Sequence, residues 1–510
     1  MGFKSKLVNL KDSAINSMIY EVYYKEDIDE NLVYLESRDG LDFTGNIFRI
    51  VEELSTGNYG DLKIHVHAKP HVVDKIKAFQ KNYNLRIDEI ITKEALATKT
   101  AEKARYIFTD AGIRPKYVKR QGQTFVHTWH GTPLKVMGID NTAEEHRLGN
   151  TQHPLLSSDY LLYPNDFMAE KMLKGYMIEK IYPGKILFEG YPRNSIFFND
   201  SFLKEKLGLI DKDIFVYMPT FRGILMDRND DGQKRDVEDY LAQIDERLAD
   251  NQILYAKLHV LNESTIDFDR FDHVRKFPEG WETYDVLNMA DVLITDYSSV
   301  FFDYANSKRK IILFNYDEDD YCSYRGFYIP LDDLPFPKVQ NVDDLVRELN
   351  SPKEYDDSEF IRTYCQYDNP EAAGNILKTV IRGEDASLVK TIGNGRKNVL
   401  IYAGSLTDDM VSKLNDVADV DNYNVVLTFG QWDEYICKNH EEIFKKLPEG
   451  IDIIQFRFNL TPTLSEKENS RSLLERSFQK QFPNIEFEMI IDLTDKKDEI
   501  SQILNNYIEK

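Results

Sequence analysis

The sequence predicts an α/β protein in which two doubly wound domains face each other and a smaller α/β domain follows. Two observations favour this class. From residue 31 onwards, short runs rich in Val, Ile and Leu alternate with stretches of helical periodicity, as in parallel sheets covered by helices on both faces. A chain of 510 residues is also too long for one core, so two or three domains are expected.

The first doubly wound domain is predicted at residues 31–200. Short apolar runs of this kind are typical of strands that are buried on both faces. Its predicted strands are 32–36, 62–67, 87–91, 106–109, 124–129, 160–163 and 185–188. Its predicted helices are 43–54, 72–83 and 95–104.

The second doubly wound domain is predicted at residues 201–390, after a polar stretch near 199–213. Its predicted strands are 214–218, 253–258, 292–295 and 310–314. The third domain, at residues 396–510, has a usual size for a small domain. Its predicted strands are 398–404, 423–428, 451–456 and 487–491, with a final helix at 500–508.

The stretch from Ala290 to Tyr304 predicts a buried strand, a polar turn and an amphipathic helix. The turn contains Asp296, Ser298 and Ser299, whose side chains suit helix capping. A helix that begins there would also direct free N–H groups and two hydroxyls at a phosphate. Capping alone explains the turn equally well, so this stretch leaves both interpretations open.

Four polar motifs each follow a predicted strand, which is where ligands bind on sheets of this kind. They are His130-Gly-Thr-Pro133, Pro219-Thr-Phe-Arg222, Lys257-Leu-His259 and Asp296-Tyr-Ser-Ser299. His130 is the candidate general base, since histidine is the usual base near neutral pH. His259 beside Lys257 suits phosphate binding better than proton abstraction, and Arg222 adds a forked donor. The pattern predicts a two-lobed transferase with a diphosphate in the cleft.

Composition excludes several classes of protein. A net charge of −23 argues against a general nucleic-acid binder. Three scattered cysteines suit a reducing cytoplasm and provide no zinc site. His65 and His67 share a strand face but have no nearby third ligand, so no metal site is predicted. No tightly bound cofactor is expected, and the acidic run 317–320 leaves Mg²⁺ dependence open.

The N-terminal region, residues 1–30, begins with an amphipathic pattern. No signal peptide or membrane span is predicted, because the chain has no continuous apolar run of the required length. Apolar residues near one helical face with lysines off it are compatible with an interfacial membrane helix or with a helix packed on the protein's own core. Residues 116–120, which include Lys116, Lys119 and Arg120, could form a basic groove or an ordinary solvated loop.

A family resemblance rests on six motifs taken together. They are Trp129-His-Gly-Thr-Pro-Leu-Lys135 with Gly138 and Asp140, Gly190-Tyr-Pro-Arg-Asn194, Pro219-Thr-Phe-Arg222, Lys257-Leu-His259, Asp291 to Asp303 and Arg325-Gly-Phe-Tyr328. In this order they resemble the CDP-glycerol glycerophosphotransferases, which include teichoic acid primases and polymerases and related capsule polymerases. The resemblance extends from about residue 31 to about residue 377.

The resemblance implies a GT-B-like fold with CDP-glycerol or CDP-ribitol in the cleft, an acceptor-binding first domain and a donor-binding second domain. A hydroxyl of a lipid-linked or polyol-phosphate polymer acceptor would attack the β-phosphorus and release CMP. It further implies a cytoplasmic protein, peripheral on the inner face of the cell membrane, with an oligomeric assembly left open.

The resemblance also assigns roles to individual residues. His130 would be the base, and His259, Arg222, Ser298 and Ser299 would hold the donor phosphates. Asp296 and Asp303 would shape the polyol or ribose end. The full predicted site comprises catalytic His130 and His259, and substrate-binding Trp129, Gly131, Thr132, Lys135, Arg193, Asn194, Thr220, Arg222, Lys257, Asp296, Ser298, Ser299 and Asp303.

The sequence departs from the family pattern at two motif positions and at its C-terminal end. Ser195 stands where the family usually has aspartate, and Phe221 stands where tryptophan is frequent. The turn at Ser195 should survive, since serine also caps and turns. Residues after about 396 lie outside the resemblance. Two alternatives remain: a glycosyltransferase that uses a UDP- or GDP-sugar, and a non-catalytic scaffold, because fold alone does not determine function.

Overall fold

A computed structural model describes most of the chain. The described residues are 18, 21–22, 26–113, 117–141, 148–220, 230–258, 266–318, 321, 326–429, 442–455, 463, 465–466, 470–494 and 499–508. The predicted amphipathic stretch at residues 1–20 therefore lies almost entirely outside the described residues. Within the described ranges, no helix is both long and apolar enough to span a bilayer.

Three sheets organise the described residues. The first has eight strands in the order β14-β7-β6-β5-β4-β1-β2-β3, and only its edge strand β14 is antiparallel. The second has six parallel strands, β10-β9-β8-β11-β12-β13, and the third has four, β17-β16-β15-β18. The strands are β1 Asp29–Glu36, β2 Lys63–His67, β3 Glu89–Ile91, β4 Ala104–Thr109, β5 Thr124–His127, β6 Tyr160–Tyr163, β7 Lys185–Phe188, β8 Asp213–Tyr217, β9 Gln252–Ala256, β10 Val274–Lys276, β11 Val292–Thr295, β12 Lys310–Phe314, β13 Lys338–Val339, β14 Leu388–Thr391, β15 Asn398–Tyr402, β16 Asn424–Thr428, β17 Asp452–Ile453 and β18 Met489–Asp492.

Helices connect these strands. They are α1 Gly45–Leu54, α2 Val73–Tyr83, α3 Glu94–Lys103, α4 Leu148–Ser157, α5 Asp166–Gly175, α6 Phe202–Lys206, α7 Asp230–Asp245, α8 Thr283–Met289, α9 Val300–Tyr304, α10 Val342–Leu349, α11 Ser358–Tyr364, α12 Ala372–Arg382, α13 Asp408–Val417, α14 Ser470–Gln481 and α15 Glu499–Ile508. The α/β class with facing doubly wound sheets is confirmed.

Both large sheets reverse their strand order at one point, and this positions the site. In the first sheet the reversal lies between β1 and β4, and in the second between β8 and β11. Loops leave the carboxyl ends of two neighbouring strands in opposite directions there, which opens a crevice for a ligand. In the first crevice, Asp110 joins the two loops by accepting a hydrogen bond from Ser37. In the second, Asp296 joins the two loops by accepting a hydrogen bond from Thr220.

The predicted strands of the first domain all occur within two to three residues of their expected ends. Three short strands, β10, β13 and β14, were not predicted. Helix α12 and strand β14 fall in the range 201–390 that was assigned to the second domain, yet they pack on the first sheet. Their apolar residues, such as Ile376 and Leu377, belong to the first domain's core. The sequence gives no sign that the chain returns from the second domain to the first, because the segment that crosses between them has no distinctive composition.

The third domain is docked on the first. Leu400, Phe478 and Leu504 belong to the same continuous core as Val33 of β1. Polar contacts reinforce this packing: Gln152 of α4 donates to the Ile453 carbonyl at 2.7 Å and accepts from the Gln455 amide at 3.1 Å. The two domains therefore share one buried interface instead of being joined by a flexible tether.

Gly138 provides a test of how tightly the motif after β5 is packed. Its φ is +61°, and a Cβ there would overlap the Gly175 carbonyl at the end of α5. Gly208 has a similar φ of +68° with open space around it, so it isolates the conformational cost. We expect Gly208→Ala to cost about 1 kcal/mol and Gly138→Ala about 3 kcal/mol or more. Midpoints of thermal unfolding check this, and equal midpoints for the two variants would contradict it.

Candidate active site

The loop after β5 carries the predicted base. Strand β5 ends at His127, and the chain then turns through Trp129 with φ +53°, a left-handed conformation that is costly for a tryptophan. The Trp129 indole stacks on the His130 ring with centroids 4.5 Å apart. Asn46 of α1 donates to the Trp129 carbonyl at 3.2 Å. Surrounding contacts thus hold an otherwise unfavourable backbone conformation that presents His130 at the sheet edge.

The tautomer of His130 is determined by its partner. Nδ1 lies 2.7 Å from the Asp110 carbonyl oxygen, which can only accept, so Nδ1 carries the proton and Nε2 offers a lone pair. His130 is exposed at the cleft, while its ring stacks on Trp129 and its Nδ1 contacts the Asp110 carbonyl. The loss of hydration at these contacts disfavours imidazolium, and together with the charges of Arg38 and Arg193 it lowers the pKa of His130 to about 4. At neutral pH the side chain is a neutral imidazole with a free acceptor nitrogen.

The neighbouring His127 packs inside the first domain. It is buried, its Nε2 bonds the Ala111 carbonyl, and its Nδ1 accepts from the Trp129 amide at 3.3 Å. Burial lowers the pKa of His127 to about 4. His127 therefore supports the turn at Trp129 and does not face the cleft.

The turn after β11 approaches from the second domain. The Asp296 carboxylate accepts from the Thr220 amide at 2.8 and 3.0 Å, which ties the loop after β8 to the loop after β11. Ser298 and Ser299 are half-buried beyond it. Helix α9, which begins at Val300, is only five residues long, so its dipole contributes less than the sequence pattern suggested. Asp296 serves here as a tie between loops. Ser299 lines a cavity beside His130, whereas the Ser298 hydroxyl accepts from the Val300 amide at 3.5 Å.

The two domains meet at Gly131 and Ser299. A Cβ on Gly131 would lie 2.8 Å from the Ser299 hydroxyl oxygen, and its φ of +154° also disfavours a side chain, so glycine allows this close approach. Beside this contact is a cavity of about 130 Å³. Its lining comprises Trp129, His130, Gly131, Thr132, Pro133, Leu134, Lys135, Met137, Tyr297 and Ser299. The structure thus brings the predicted base and a predicted phosphate ligand to one small interdomain cavity.

Lys135 and Thr132 complete the first-domain side of this cavity. The Lys135 backbone forms an isolated antiparallel β-bridge with Phe327. The Lys135 Nζ lies 5.1 Å from the centre of the Tyr321 ring. The Thr132 hydroxyl accepts from the Asn165 side chain at 3.0 Å and is buried. Lys135 therefore supplies a cation to the cavity, whereas Thr132 shapes the loop.

Arg193 and Asp303 pair with each other. The guanidinium makes bonds of 2.9 to 3.2 Å to the carboxylate, both side chains are buried, and Tyr284 donates to Asp303 at 3.1 Å. Arg193 also donates to the His130 carbonyl at 3.0 Å. The sequence predicted both residues as substrate ligands, but the structure places them in an interdomain ion pair behind the base.

Asn194 belongs to the same interdomain contact. Its side chain donates to Asp368 at 3.0 Å, and Asp368 also accepts from Asn306 at 2.8 Å. Ser195, the residue that departs from the family pattern, donates its hydroxyl to the Pro192 carbonyl at 2.7 Å, so the turn survives as expected. These contacts make the Pro192–Phe198 segment a rigid joint between the domains.

Several functional residues were not predicted from the sequence. Asp110 orients His130, and Glu282 and Asp285 join α8 to the first domain: Glu282 accepts from the Gly45 amide at 2.9 Å, and Asp285 pairs with Arg49 at 2.5 Å. Asp110 carries the same signal as the residues that were found, because it follows the predicted strand 106–109. Glu282, which caps α8, and Asp285 within it carry no such signal, since their partners are more than 200 positions away.

Two of the predicted site residues, His259 and Arg222, lie outside the described residues, as do Lys116 and Arg325. Lys257 lies with its Nζ 4.6 Å from the centre of the Phe277 ring. Lys119 is buried against Asp159, and Arg120 donates to the Glu102 carbonyl, so these two residues do not form the exposed basic groove that the sequence allowed. Among the described side chains, no group of three His, Cys, Asp or Glu residues gathers as around a metal ion.

The fold and this site place the chain in a family. The profile described as CDP-Glycerol:Poly(glycerophosphate) glycerophosphotransferase matches residues 18–382, which is most of the chain. The chain therefore belongs to that family.

Individual proteins agree with this assignment. The chain is 27% identical over 406 residues to the teichoic acid poly(glycerol phosphate) polymerase of Bacillus spizizenii strain W23, covering 75% of this chain and 98% of that protein. It is 29% identical over 313 residues to the polymerase of the same description from Bacillus subtilis strain 168, covering 55% of this chain but only 40% of that longer protein. A solved structure of the wall teichoic acid polymerase TagF shares the fold, with a TM-score of 0.61, 22% identity, and coverage of 74% of this chain and 95% of that one.

The Arg193–Asp303 pair yields a stability prediction. Arg193→Met leaves a buried carboxylate without its counter-ion, and we expect a loss of about 3–5 kcal/mol. Adding Asp303→Leu should recover part of that loss, because the unpaired charge is removed. The control is Lys174→Met, which breaks an exposed pair with Glu170 and should cost less than about 1 kcal/mol. Thermal unfolding of the four proteins measures this, and a loss for Arg193→Met no larger than that for Lys174→Met would refute it.

Proposed function

We propose that this protein transfers a polyol phosphate from CDP-glycerol or CDP-ribitol to a hydroxyl of a polyol-phosphate or lipid-linked acceptor and releases CMP. The observation that carries the proposal is the neutral His130, with a free Nε2, in the cavity that Ser299 of the second domain also lines. This arrangement puts an imidazole of one domain and a hydroxyl of the other at the same cavity, which supports roles as a base and a phosphate ligand. Membership in the glycerophosphotransferase family supports the same chemistry.

The proposed step uses the residues as follows. Nε2 of His130 takes the proton of the acceptor hydroxyl as its oxygen attacks the β-phosphorus. The bond from that phosphorus to the bridging oxygen breaks, and CMP leaves with the bonding electrons. Hydroxyls of Ser298 and Ser299 stabilise the charge on the transferred phosphate, and Lys135 adds a cation nearby. We propose His259 and Arg222 as further phosphate ligands because they belong to the same family motifs.

We propose that the reaction occurs at the inner face of the cell membrane, with the chain bound peripherally. The amphipathic pattern near the start of the chain supports this, since an apolar helical face with flanking lysines suits an anionic interface. The lipid-linked acceptor class implied by the family supports it as well.

The first test is nucleotide release by the purified chain. We expect CMP from CDP-glycerol or CDP-ribitol only when a short polyol-phosphate acceptor is present, and no UDP from UDP-glucose. His130→Ala should lower the rate by about 10² to 10⁴ while donor binding, measured by calorimetry, is kept. His71→Ala, at an exposed position outside the cavity, serves as the matched control. Release of UDP in place of CMP, or a full rate in His130→Ala, would refute the proposal.

The pH dependence follows from the lowered pKa of His130. Protonation of Nε2 removes the base, so the rate falls as the pH drops through about 4 and stays flat above it. We therefore expect kcat/KM for the acceptor to be nearly constant from about pH 8 down to about pH 5. An ordinary histidine would lose half of its activity near pH 6.5. A midpoint near that value in the measured profile would show that His130 is not held in its neutral form.

A further inference from the structure

The amino end of α1 is an anion position that the second domain fills. Helix α1 begins at Gly45, after β1, the strand at which the first sheet reverses its order. In sheets of this kind such a helix end is a place where anions bind, because its first amide groups are free and its dipole is positive. Here the anion is the Glu282 carboxylate. Its Oε1 accepts from the Thr44 hydroxyl at 2.6 Å and from the Gly45 amide at 2.9 Å.

The same carboxylate is also fixed on its own domain. Glu282 lies immediately before α8, and its Oε2 accepts from the Tyr284 amide at 2.6 Å. The residue is fully buried, and its backbone amide donates to the Tyr83 hydroxyl at 2.8 Å. One carboxylate therefore joins the amino ends of two helices, one in each domain. Hydrogen bonds from amides to a carboxylate are among the stronger ones in proteins.

The second residue of α1 connects this contact to the loop of the base. Asn46 is buried, and its side-chain nitrogen donates to the Trp129 carbonyl at 3.2 Å. Its side-chain oxygen accepts from the Arg193 amide at 3.3 Å. Trp129 stacks on the His130 ring, and the Arg193 guanidinium donates to the His130 carbonyl at 3.0 Å. Asn46 therefore bonds both of the residues that hold His130 from this side.

Helix α1 is bonded to the second domain at a further point. Arg49, one turn along, pairs with Asp285 of α8 at 2.5 Å, and both side chains are buried. Asp285 also accepts from the Tyr83 hydroxyl at 2.6 Å. Two buried contacts thus seat α1 on α8, and the end of α1 that Glu282 holds is the end next to the His130 loop.

We propose that Glu282 is a positioning residue for the reaction: through α1 and Asn46 it fixes where His130 stands relative to the second domain. The proposal rests on the function proposed above, since it concerns the base of that reaction. Glu282 does not line the cavity beside His130, so it acts on the rate through placement alone. A misplacement of about 1 Å between reacting groups can lower a rate by about 10².

The experiment compares Glu282→Gln and Thr44→Val with the unmodified chain. Glutamine keeps the size of the side chain but turns an amide N–H towards a donor, and valine removes only the hydroxyl bond to Glu282. We expect kcat for CMP release to fall by about 10- to 10²-fold in Glu282→Gln, and by less in Thr44→Val, because the base is displaced. Rates are compared at a temperature at which circular dichroism shows every variant folded. Donor affinity, measured by calorimetry with CDP-glycerol and CDP-ribitol, should stay unchanged, because the proposed donor ligands belong mainly to the second domain.

The matched control is Asn82→Ala. Asn82 of α2 donates to the Gly280 carbonyl at 2.7 Å, so this variant loses a hydrogen bond between the same two domains without changing α1. We expect its kcat to equal that of the unmodified chain. Equal kcat values for Glu282→Gln and Asn82→Ala would overturn the proposal, because a contact that only stabilises the fold predicts no difference between them.

A double-variant cycle tests the route through α1. Asn46→Ala removes the bonds from α1 to Trp129 and Arg193. We expect Glu282→Gln to lower kcat much less in the Asn46→Ala background than in the unmodified chain, because residues that act through one route are not additive. Effects on kcat that simply multiply would overturn the proposal.

A spectroscopic measurement separates this proposal from the proposed function. Loss of hydration holds the pKa of His130 at about 4, and that loss depends on the contacts of its ring. Nitrogen-15 NMR of labelled histidine follows this pKa without turnover, and the His130 signal is identified by its absence from His130→Ala. We expect the pKa to rise towards its ordinary value in Glu282→Gln and to stay unchanged in Asn82→Ala.

The two failures are distinguishable. A raised pKa of His130 in Glu282→Gln, with no CMP released by any of the proteins, supports the positioning role and refutes only the transferase assignment. An unchanged pKa in Glu282→Gln overturns the positioning role even where CMP release is normal.

Discussion

The buried ion pair between Arg193 and Asp303 is the interaction on which the geometry of the site depends. Arg193 follows β7 of the first domain, and Asp303 lies in α9 of the second, so the pair fixes one domain against the other. The same guanidinium donates to the His130 carbonyl. A buried pair of this kind contributes little net stability, because desolvation offsets the attraction, but removal of either partner is costly. Its value here is positional: it fixes one domain against the other and holds the loop that carries His130.

The chemistry of the site follows from positions that are set before any substrate binds. The Asp110 carbonyl selects the tautomer of His130, and the protein around the ring keeps it neutral. On the opposite side, Asp296 ties two loops together, and Ser299 of the second loop lines the cavity. Donors and acceptors that are already oriented need no reorganisation as charge develops, which is how such sites stabilise a transition state. Much of the machinery is therefore backbone and loop geometry that supports a few reactive atoms.

The third domain adds a structural consideration. It continues the core of the first domain, and none of its described residues lines the cavity beside His130. Its docking covers α4, the helix whose end precedes β6, next to the strand that carries the His130 loop. Because protein interiors are close-packed and have low compressibility, this docking stiffens the first domain around its site.

The sequence by itself determined the order of strands and helices, the α/β class and most of the strand-end motifs. These are local properties: periodicity, capping residues and the position of a polar side chain directly after an apolar run. The tertiary structure decided which of the motif residues face the cleft. Arg193 and Asp303 carry the signature of ligands in the sequence, yet they lie 110 positions apart and neutralise each other. Pairing of charges is a question of distance in space, and sequence spacing holds no information on it.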